Sequence, residues 1–307
     1  MQALVYKSTG NWYQVKNKEG RSFKARLKGK FKLDKITSTN PIAVGDIVEI
    51  ENENEEENTV IIEIYQRRNY INRTSPHNKN QHHIVAANLD QSLLFATLKD
   101  PKTSLGFIDR FLIISEAYGV PAIIVFNKSD LYKKKEMDRF EIIKSIYEKI
   151  GYKIILMSIE KNEGIKEVES LLNNMTTLLS GHSGVGKSSF INQLFPGLKI
   201  KTQDVSGWSG KGLHTTTFAE MFDLPVSGKI IDTPGIREMG LVDIPRQELS
   251  HYYPEMRAVL SGCKYNNCMH VDETDCAVKD AIRNGEIHEE RYISYLKILD
   301  TVTDILY

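Results

Sequence analysis

Cysteine is scarce: the 307 residues hold three, Cys263, Cys268 and Cys276, all in one C-terminal stretch. An odd, clustered count argues against a disulfide framework and turns the question to metal ligation. No apolar run approaches the roughly 18 residues that a transmembrane helix needs. The opening MQALVYKSTGNWYQV lacks the charged, apolar and small-residue order of a signal peptide. A cytoplasmic protein without a membrane partner is therefore expected. Net charge is missing too: 40 Lys and Arg balance 40 Asp and Glu, so the bulk charge gives no electrostatic support for binding nucleic acid. Internal repeats are absent, and a composition of 41% hydrophobic and 26% charged residues excludes general disorder and a fibrous chain.

The length suits two or three compact units, each with its own core. Charge is unevenly placed along the chain. Lys16, Lys18, Arg21, Lys24, Arg26, Lys28, Lys30 and Lys32 face only Glu19 and Asp34, whereas the charges from Asp46 to Glu63 are all acidic. Up to about Arg73 short alternating segments (ALVY, WYQVKN, SFKARL, DIVEIEN, TVIIEIY) are broken by Gly10, Gly20, Gly29 and Asn40-Pro41, which predicts a small five-stranded β-barrel. An OB-type barrel fits, although strand count alone does not separate it from an SH3-like one. Residues 72–83, NRTSPHNKNQHH, are polar and contain Pro76, and are expected to be a linker. From Ile84 onward strands alternate with helical segments, the signature of a parallel sheet covered by helices. Beyond about Leu241 the pattern is helical around a cysteine-rich insertion.

The apolar strand TTLLS runs into Gly181-His182-Ser183-Gly184-Val185-Gly186-Lys187-Ser188, followed by Ser189. This is a full G-x-x-x-x-G-K-S phosphate loop in strand-to-helix context. Its glycines let backbone N–H groups and the helix N-terminus face phosphate oxygens, Lys187 reaches the β/γ phosphates, and the Ser188 hydroxyl suits Mg2+. A merely glycine-rich turn would require neither Lys187 nor Ser188. Downstream, an apolar strand ends in Asp232-Thr233-Pro234-Gly235. There Asp232 is expected to hold Mg2+ through water and the Gly235 N–H to sense the terminal phosphate.

The base-reading element lies upstream. The strand AIIVF delivers Asn127-Lys128-Ser129-Asp130. Asp130 can accept from the guanine N1–H and 2-amino group, donors that adenine does not offer at those positions, so ATP would leave a buried carboxylate unpaired. Ser158, at the end of KIILM, fits the loop that touches the guanine carbonyl. Because the base-reading element precedes the phosphate loop, the motif order is circularly permuted relative to most GTPases. The glycine-rich segment Ser206 to Thr217 reads as a switch ending in hydroxyls suited to Mg2+; the choice of threonine is open to sequence, and Thr216 is adopted. Ile236 stands where Ras-like enzymes carry a water-orienting glutamine, so His214 is the catalytic candidate, against a purely structural histidine. Cys263-x4-Cys268-x-His270-x5-Cys276 supplies four ligands for one structural tetrahedral Zn2+.

Together VGDIVEI, RRNYINR, AANLDQ, NKSDL, GHSGVGKSS, GKGLHTTT, DTPGIRE, the cysteine-histidine cluster and CAVKDAIRNGEIHEERYISYL resemble, across essentially the whole chain, the bacterial ribosome small-subunit-dependent GTPase A family. The resemblance implies a multi-domain α/β protein: an OB-type barrel (1–73), a circularly permuted P-loop GTPase domain with helices on both faces of a mostly parallel sheet (74–241), and a helical zinc-binding domain (242–307). It implies GTP/GDP contacts from Asn127 to Asp130 and from Gly181 to Ser189, and zinc on Cys263, Cys268, His270 and Cys276. It also implies GTP hydrolysis stimulated by the small (30S) ribosomal subunit late in subunit maturation. The basic barrel is the expected rRNA surface, and a monomer is expected. Competing readings are an RNA-binding assembly module that holds nucleotide only structurally, and an ATP-driven P-loop enzyme.

Overall fold

The computed structural model describes residues 1–28, 41–52, 59–74, 82–198, 219–225, 227–233, 241 and 244–302. The first unit is built from β1 (Gln2–Ser8), β2 (Tyr13–Asn17), β3 (Ser22–Leu27), β4 (Ile47–Asn52) and β5 (Thr59–Ile64). Alternation decides which face is inward: Tyr13 and Val15 are buried on β2 while Gln14 between them is exposed. The strands run in the order β1-β2-β3-β5-β4, and β4 pairs back onto β1. β3 and β5 are parallel and the other neighbours antiparallel. That closure is the OB arrangement, and it settles the choice that strand counting leaves open. Val5, Val15, Val48, Ile50 and Ile61 fill the barrel.

The stretch read as a linker is structured at both ends. β6 (Tyr70–Thr74) and β7 (His82–Ala87) form an antiparallel hairpin. Asp46, first in the run of acidic charges, is fully buried and serves as an internal brace. Both its carboxylate oxygens accept from Arg67, at 2.7 and 2.6 Å, and one also accepts the Ala43 N–H at 2.8 Å.

The second unit is a sheet in the order β10 (Lys153–Leu156), β9 (Ala122–Phe126), β8 (Gln91–Ala96), β11 (Thr176–Ser180), β13 (Gly228–Asp232), β12 (Glu220–Leu224). Its neighbours are parallel except β12, which returns antiparallel to β13. Every residue of β8 is buried, as a central parallel strand requires when both faces are covered. Leu94, Phe126 and Leu178 pack beneath α1 (Leu105–Ala117) and α2 (Lys134–Lys149). Leu93, Phe95, Val125 and Leu179 face α3 (Ile165–Leu171) and α4 (Lys187–Leu194) on the opposite side. β12 lies between the phosphate loop and Asp232, following the glycine-rich segment in the sequence.

The C-terminal unit comprises α5 (Pro254–Arg257), α6 (Ala277–Arg283) and α7 (Glu289–Leu299). Tyr253, Met256, Val278, Tyr295 and Ile298 form its core, which Ile113 of α1 joins from the sheet domain. Among the described residues no helix is long and apolar enough to cross a membrane.

Candidate nucleotide site and cysteine-histidine cluster

The phosphate-loop strand β11 sits between β8 and β13, so the loops leaving all three strands open at one edge of the sheet. Gly181, Gly184 and Gly186 have φ of 133°, 82° and 98°. Close approach makes two of them obligatory. A Cβ on Gly181 would lie 2.3 Å from the Phe95 carbonyl oxygen, and one on Gly186 would lie 2.3 Å from Asn127 Nδ2. Lys187 is buried and donates from Nζ to the carbonyls of Gly181 and His182 at 2.7 and 3.0 Å. Burial lowers its pKa, and Asp232 acts in the opposite sense. The His182 ring stacks on Phe107 of α1 with centroids 3.8 Å apart. Burial, then the Lys187 charge, holds that imidazole below its ordinary pKa.

The base-reading loop touches this cradle directly. Asn127, 1% exposed, donates from Nδ2 to the Val185 carbonyl at 2.8 Å, while its buried Oδ1 has no partner among the described residues. Lys128 adopts φ 64° and its Nζ donates to the Asp100 carbonyl at 2.5 Å. Ser158 Oγ donates to Asp130 Oδ1 at 2.6 Å and accepts the Lys161 N–H at 3.1 Å, so the residue expected to border the base also orients the carboxylate expected to read it. Tyr132, which carries no motif signal, braces the same loop. Its hydroxyl donates to the Asn127 carbonyl at 2.8 Å and accepts the Leu98 N–H at 2.9 Å, and burial pushes its pKa up to about 12.

Asp232 ends β13 opposite Leu179 of β11. Burial raises its carboxyl pKa; Lys187 offsets part of the rise, and Glu220 adds to it. A desolvated carboxylate beside a phosphate-binding strand, with the Ser188 hydroxyl at the start of α4, is an oxygen donor set of the hardness Mg2+ requires. Thr233 Oγ1 fixes the turn by donating to the Leu179 carbonyl at 3.0 Å. His214, Thr216 and Gly235 lie outside the described residues.

Cys263, Cys268, His270 and Cys276 converge, with their ligand atoms all within 4.8 Å of one another. His270 Nδ1 lies 3.3 Å from Cys276 Sγ and 3.7 Å from Cys263 Sγ. Ligands around a tetrahedral zinc stand roughly 3.5–4 Å apart, given Zn–S near 2.3 Å and Zn–N near 2.0 Å, so the cluster fits that ion. Without one, burial pushes the Cys268 thiol up to about 12 and lowers the His270 pKa. Supports beyond the four ligands were not legible in sequence. Tyr292 and Tyr295, three apart on α7, donate to the His270 and Met269 carbonyls at 2.6 and 2.8 Å, and the Glu273 carboxylate accepts the Met269 and Val271 N–H groups.

An OB barrel joined to a P-loop sheet whose Asn-Lys-x-Asp strand comes first, followed by a Cys3His unit, defines a circularly permuted GTPase. Comparison with known proteins agrees. The RsgA N-terminal domain model matches residues 2–60 and the RsgA GTPase model residues 64–242. The small ribosomal subunit biogenesis GTPase RsgA of Flavobacterium psychrophilum is 48% identical over 302 residues, covering 98% of this chain and 93% of that protein. Its counterpart in Cytophaga hutchinsonii is 50% identical over 300 residues, covering 97% and 98%. Among solved structures, YjeQ from Thermotoga maritima superposes with a TM-score of 0.78 at 34% identity, covering 98% and 97% of the two chains. YloQ, described as a circularly permuted GTPase, gives 0.73 at 27%, covering 98% and 94%. The chain belongs to the RsgA GTPase family and is a GTP hydrolase.

Proposed function

We propose that this ribosome-biogenesis GTPase binds GTP across the Asn127–Val185 contact and hydrolyses it under stimulation by the small (30S) ribosomal subunit, late in that subunit's maturation. The contact carries the reading: it joins the guanine-selective loop to the phosphate loop, so that one nucleotide spans both. Asp130, oriented by Ser158, accepts from guanine. Asn127, Lys128 and Ser129 shape that end, and the loop from Gly181 to Ser189 takes the phosphates. Lys187 neutralises charge on the β/γ phosphates, and Asp232 with the Ser188 hydroxyl holds Mg2+, which stabilises charge on the transferring phosphoryl group when bound. Thr216 completes the magnesium site, His214 orients water and Gly235 senses the terminal phosphate.

Cys263, Cys268, His270 and Cys276 hold one structural Zn2+. The units divide at 1–73, 74–241 and 242–307, and the protein acts in the cytoplasm as a monomer. For rRNA binding the support is the barrel surface. Lys18, Arg21, Lys24 and Lys28 are exposed, and Lys24 Nζ lies 4.4 Å from the centroid of the Trp12 ring, itself 40% exposed. Cations interleaved with an exposed aromatic suit a nucleic acid backbone and its bases.

The test is hydrolysis of GTP and of ATP with and without purified small ribosomal subunits. Subunit-stimulated GTP turnover is expected. GTP turnover indifferent to subunits would remove the stimulation, and ATP preference would remove the role assigned to Asp130.

A further inference from the structure

A row of charges crosses three neighbouring strands and links the barrel to the nucleotide site. Among the described residues one register pair joins the barrel to the GTPase sheet: Lys7 of β1 opposite Glu220 of β12. Lys7 Nζ donates to Glu220 Oε2 at 2.7 Å. Glu220 in turn lies opposite Asp232 of β13, which places the two Cβ atoms about 5 Å apart on one face of the sheet. The packing agrees with that facing. Phe222, Leu224 and Ile230, in phase with Glu220 and Asp232, belong to the core under α3 and α4, whereas Met221 and Ile231 belong to the core under α1 and α2. Directly opposed like charges repel across a strand pair. Here Lys7 offsets one carboxylate, and the charge of Lys187 acts on the other.

We propose that Glu220 is a positioning residue for magnesium, an outer carboxylate acting through Asp232 and ion-bound water, and that Lys7 of the barrel sets how much of its charge the ion feels. The proposal rests on reading Asp232 as the magnesium carboxylate. With the barrel seated on β12, Lys7 screens Glu220 and the ion sees little more than Asp232. With the barrel drawn away, the freed charge of Glu220 strengthens ion binding. Linkage runs both ways: a bound ion attracts Glu220 and weakens its hold on Lys7, so nucleotide-magnesium occupancy loosens the barrel. An anionic partner competing for Lys7 thereby acts on the nucleotide site through Glu220, 213 residues away in sequence.

β12 also supplies an internal control. Asp223, out of phase with Glu220, takes Lys16 of the barrel at 2.7 Å and a hydrogen bond from the Tyr6 hydroxyl. That contact also joins the barrel to β12, but it points to the opposite face of the sheet, away from Asp232, and its loss leaves Lys7 on Glu220.

The experiment follows release of a fluorescent GDP analogue from the full chain while Mg2+ is titrated, reading the midpoint at which the ion slows release. Glu220→Gln is expected to raise the midpoint, and Lys7→Gln to lower it, each by about three- to tenfold, the scale of one partly screened charge near a divalent ion. In the double variant the Lys7 effect should vanish, and Lys16→Gln should leave the midpoint unchanged. Thermal melts establish that each variant is folded; if Glu220→Gln is not, Lys7→Gln alone must still lower the midpoint. An unmoved midpoint in folded Glu220→Gln, a Lys7 effect that persists without Glu220, or a Lys16→Gln effect equal to that of Lys7→Gln would each overturn the proposal. Asp232→Asn separates it from its premise: if that variant keeps the wild-type midpoint, the magnesium assignment itself is wrong.

Discussion

The guanidinium of Arg291 on α7 reaches the buried carboxylate of Asp109 on α1, 182 residues earlier in the chain. It also pairs through Nε with Glu255 of α5 at 2.6 Å, and its cationic carbon sits 4.5 Å over the Tyr253 ring and 5.3 Å over that of Tyr147. Two acids and two aromatic faces thus converge on one cation at the seam between the GTPase sheet and the C-terminal unit. α1 carries Phe107 against His182 of the phosphate loop only two residues before Asp109. The helix that bears on the nucleotide site is therefore the one clamped to the C-terminal unit.

Removing that cation leaves two buried carboxylates uncompensated. Arg291→Met should lower stability by about 3–5 kcal/mol, the cost of breaking a buried pair by deleting one partner, read as a fall in the denaturant midpoint. Arg291→Lys should recover only part of the loss, since a single ammonium cannot reproduce the planar fork that serves Asp109 and Glu255 together. Equal stability of wild type and Arg291→Met would show that the cluster is not holding the seam.

What sequence revealed and what it concealed divide along a physical line. The loops carrying Asn127, Lys187 and Asp232 were legible because each couples an apolar strand to residues whose chemistry has few other uses, and the cysteine-histidine cluster because three thiols in a cysteine-poor chain stand out. Closure of the barrel was not legible, since parallel pairing of β3 with β5 joins residues 34 apart, such as Ala25 and Thr59, rather than following a local pattern. Asp46 reads as one more acid in an acidic run, and only the fold brings Arg67 to it. Tyr132 and Glu220 likewise draw their roles from neighbours distant in sequence. The ends of β6 and β7 that face each other in sequence, Asn72-Arg73-Thr74 and His82-His83, are polar and lack the alternation that marks a strand, so the stretch between Asn72 and His83 reads as linker.

Tyr132 offers a test of how tightly the base-reading loop must be held. Tyr132→Phe keeps the ring and removes the hydroxyl that joins the Asn127 carbonyl to the Leu98 N–H. Leaving those groups short of a partner costs about 1–2 kcal/mol, or roughly five- to thirtyfold in affinity. Faster release of a fluorescent GDP analogue in stopped flow is the expected signature, with the melting temperature lowered by about a few degrees.

Gly186→Ala probes the contact between the two loops from the other side. The added methyl would meet Asn127 Nδ2 at 2.3 Å on a backbone held at φ 98°, so either Asn127 abandons Val185 or the phosphate loop distorts. Nucleotide binding should fall by more than a hundredfold in a protein whose circular dichroism spectrum is that of wild type. Calorimetric titration with GDP gives the comparison, and wild-type affinity would show that the loops need not touch.

Asp223 gives the barrel seam a pH dependence of defined sign. Burial alone would raise its carboxyl pKa, but hydrogen bonds from Lys16 and Tyr6, with the nearby Lys229 charge, hold it below the ordinary 3.8. A carboxylate with a depressed folded pKa contributes stability that is complete above its unfolded pKa and is lost as pH falls through the folded one. The side chain is 46% exposed, so screening limits the contribution to about 1 kcal/mol or less. Asp223→Asn should therefore melt slightly lower than wild type at pH 6, and the gap should narrow as pH falls below 3.8. A constant gap across that range would assign the seam to packing rather than to charge.

The cysteine-histidine unit should depend on its metal for order while the GTPase sheet does not. Its four ligands sit in a loop bounded by short helices, and its core is small, the circumstances in which metal binding supplies folding free energy. With burial holding the Cys268 thiol near 12, binding must displace protons. Zinc affinity should accordingly rise with pH, and a chelator should strip the ion more readily at pH 6 than at pH 8. Hydrogen exchange after chelation is expected to show lost protection in α6 and in the loop that Tyr292 and Tyr295 clamp, with β8, β9 and β11 unchanged. Cys276→Ser should reproduce that pattern without a chelator. Retained protection around His270 in metal-free protein would show instead that Glu273 and the two tyrosines suffice to hold the loop.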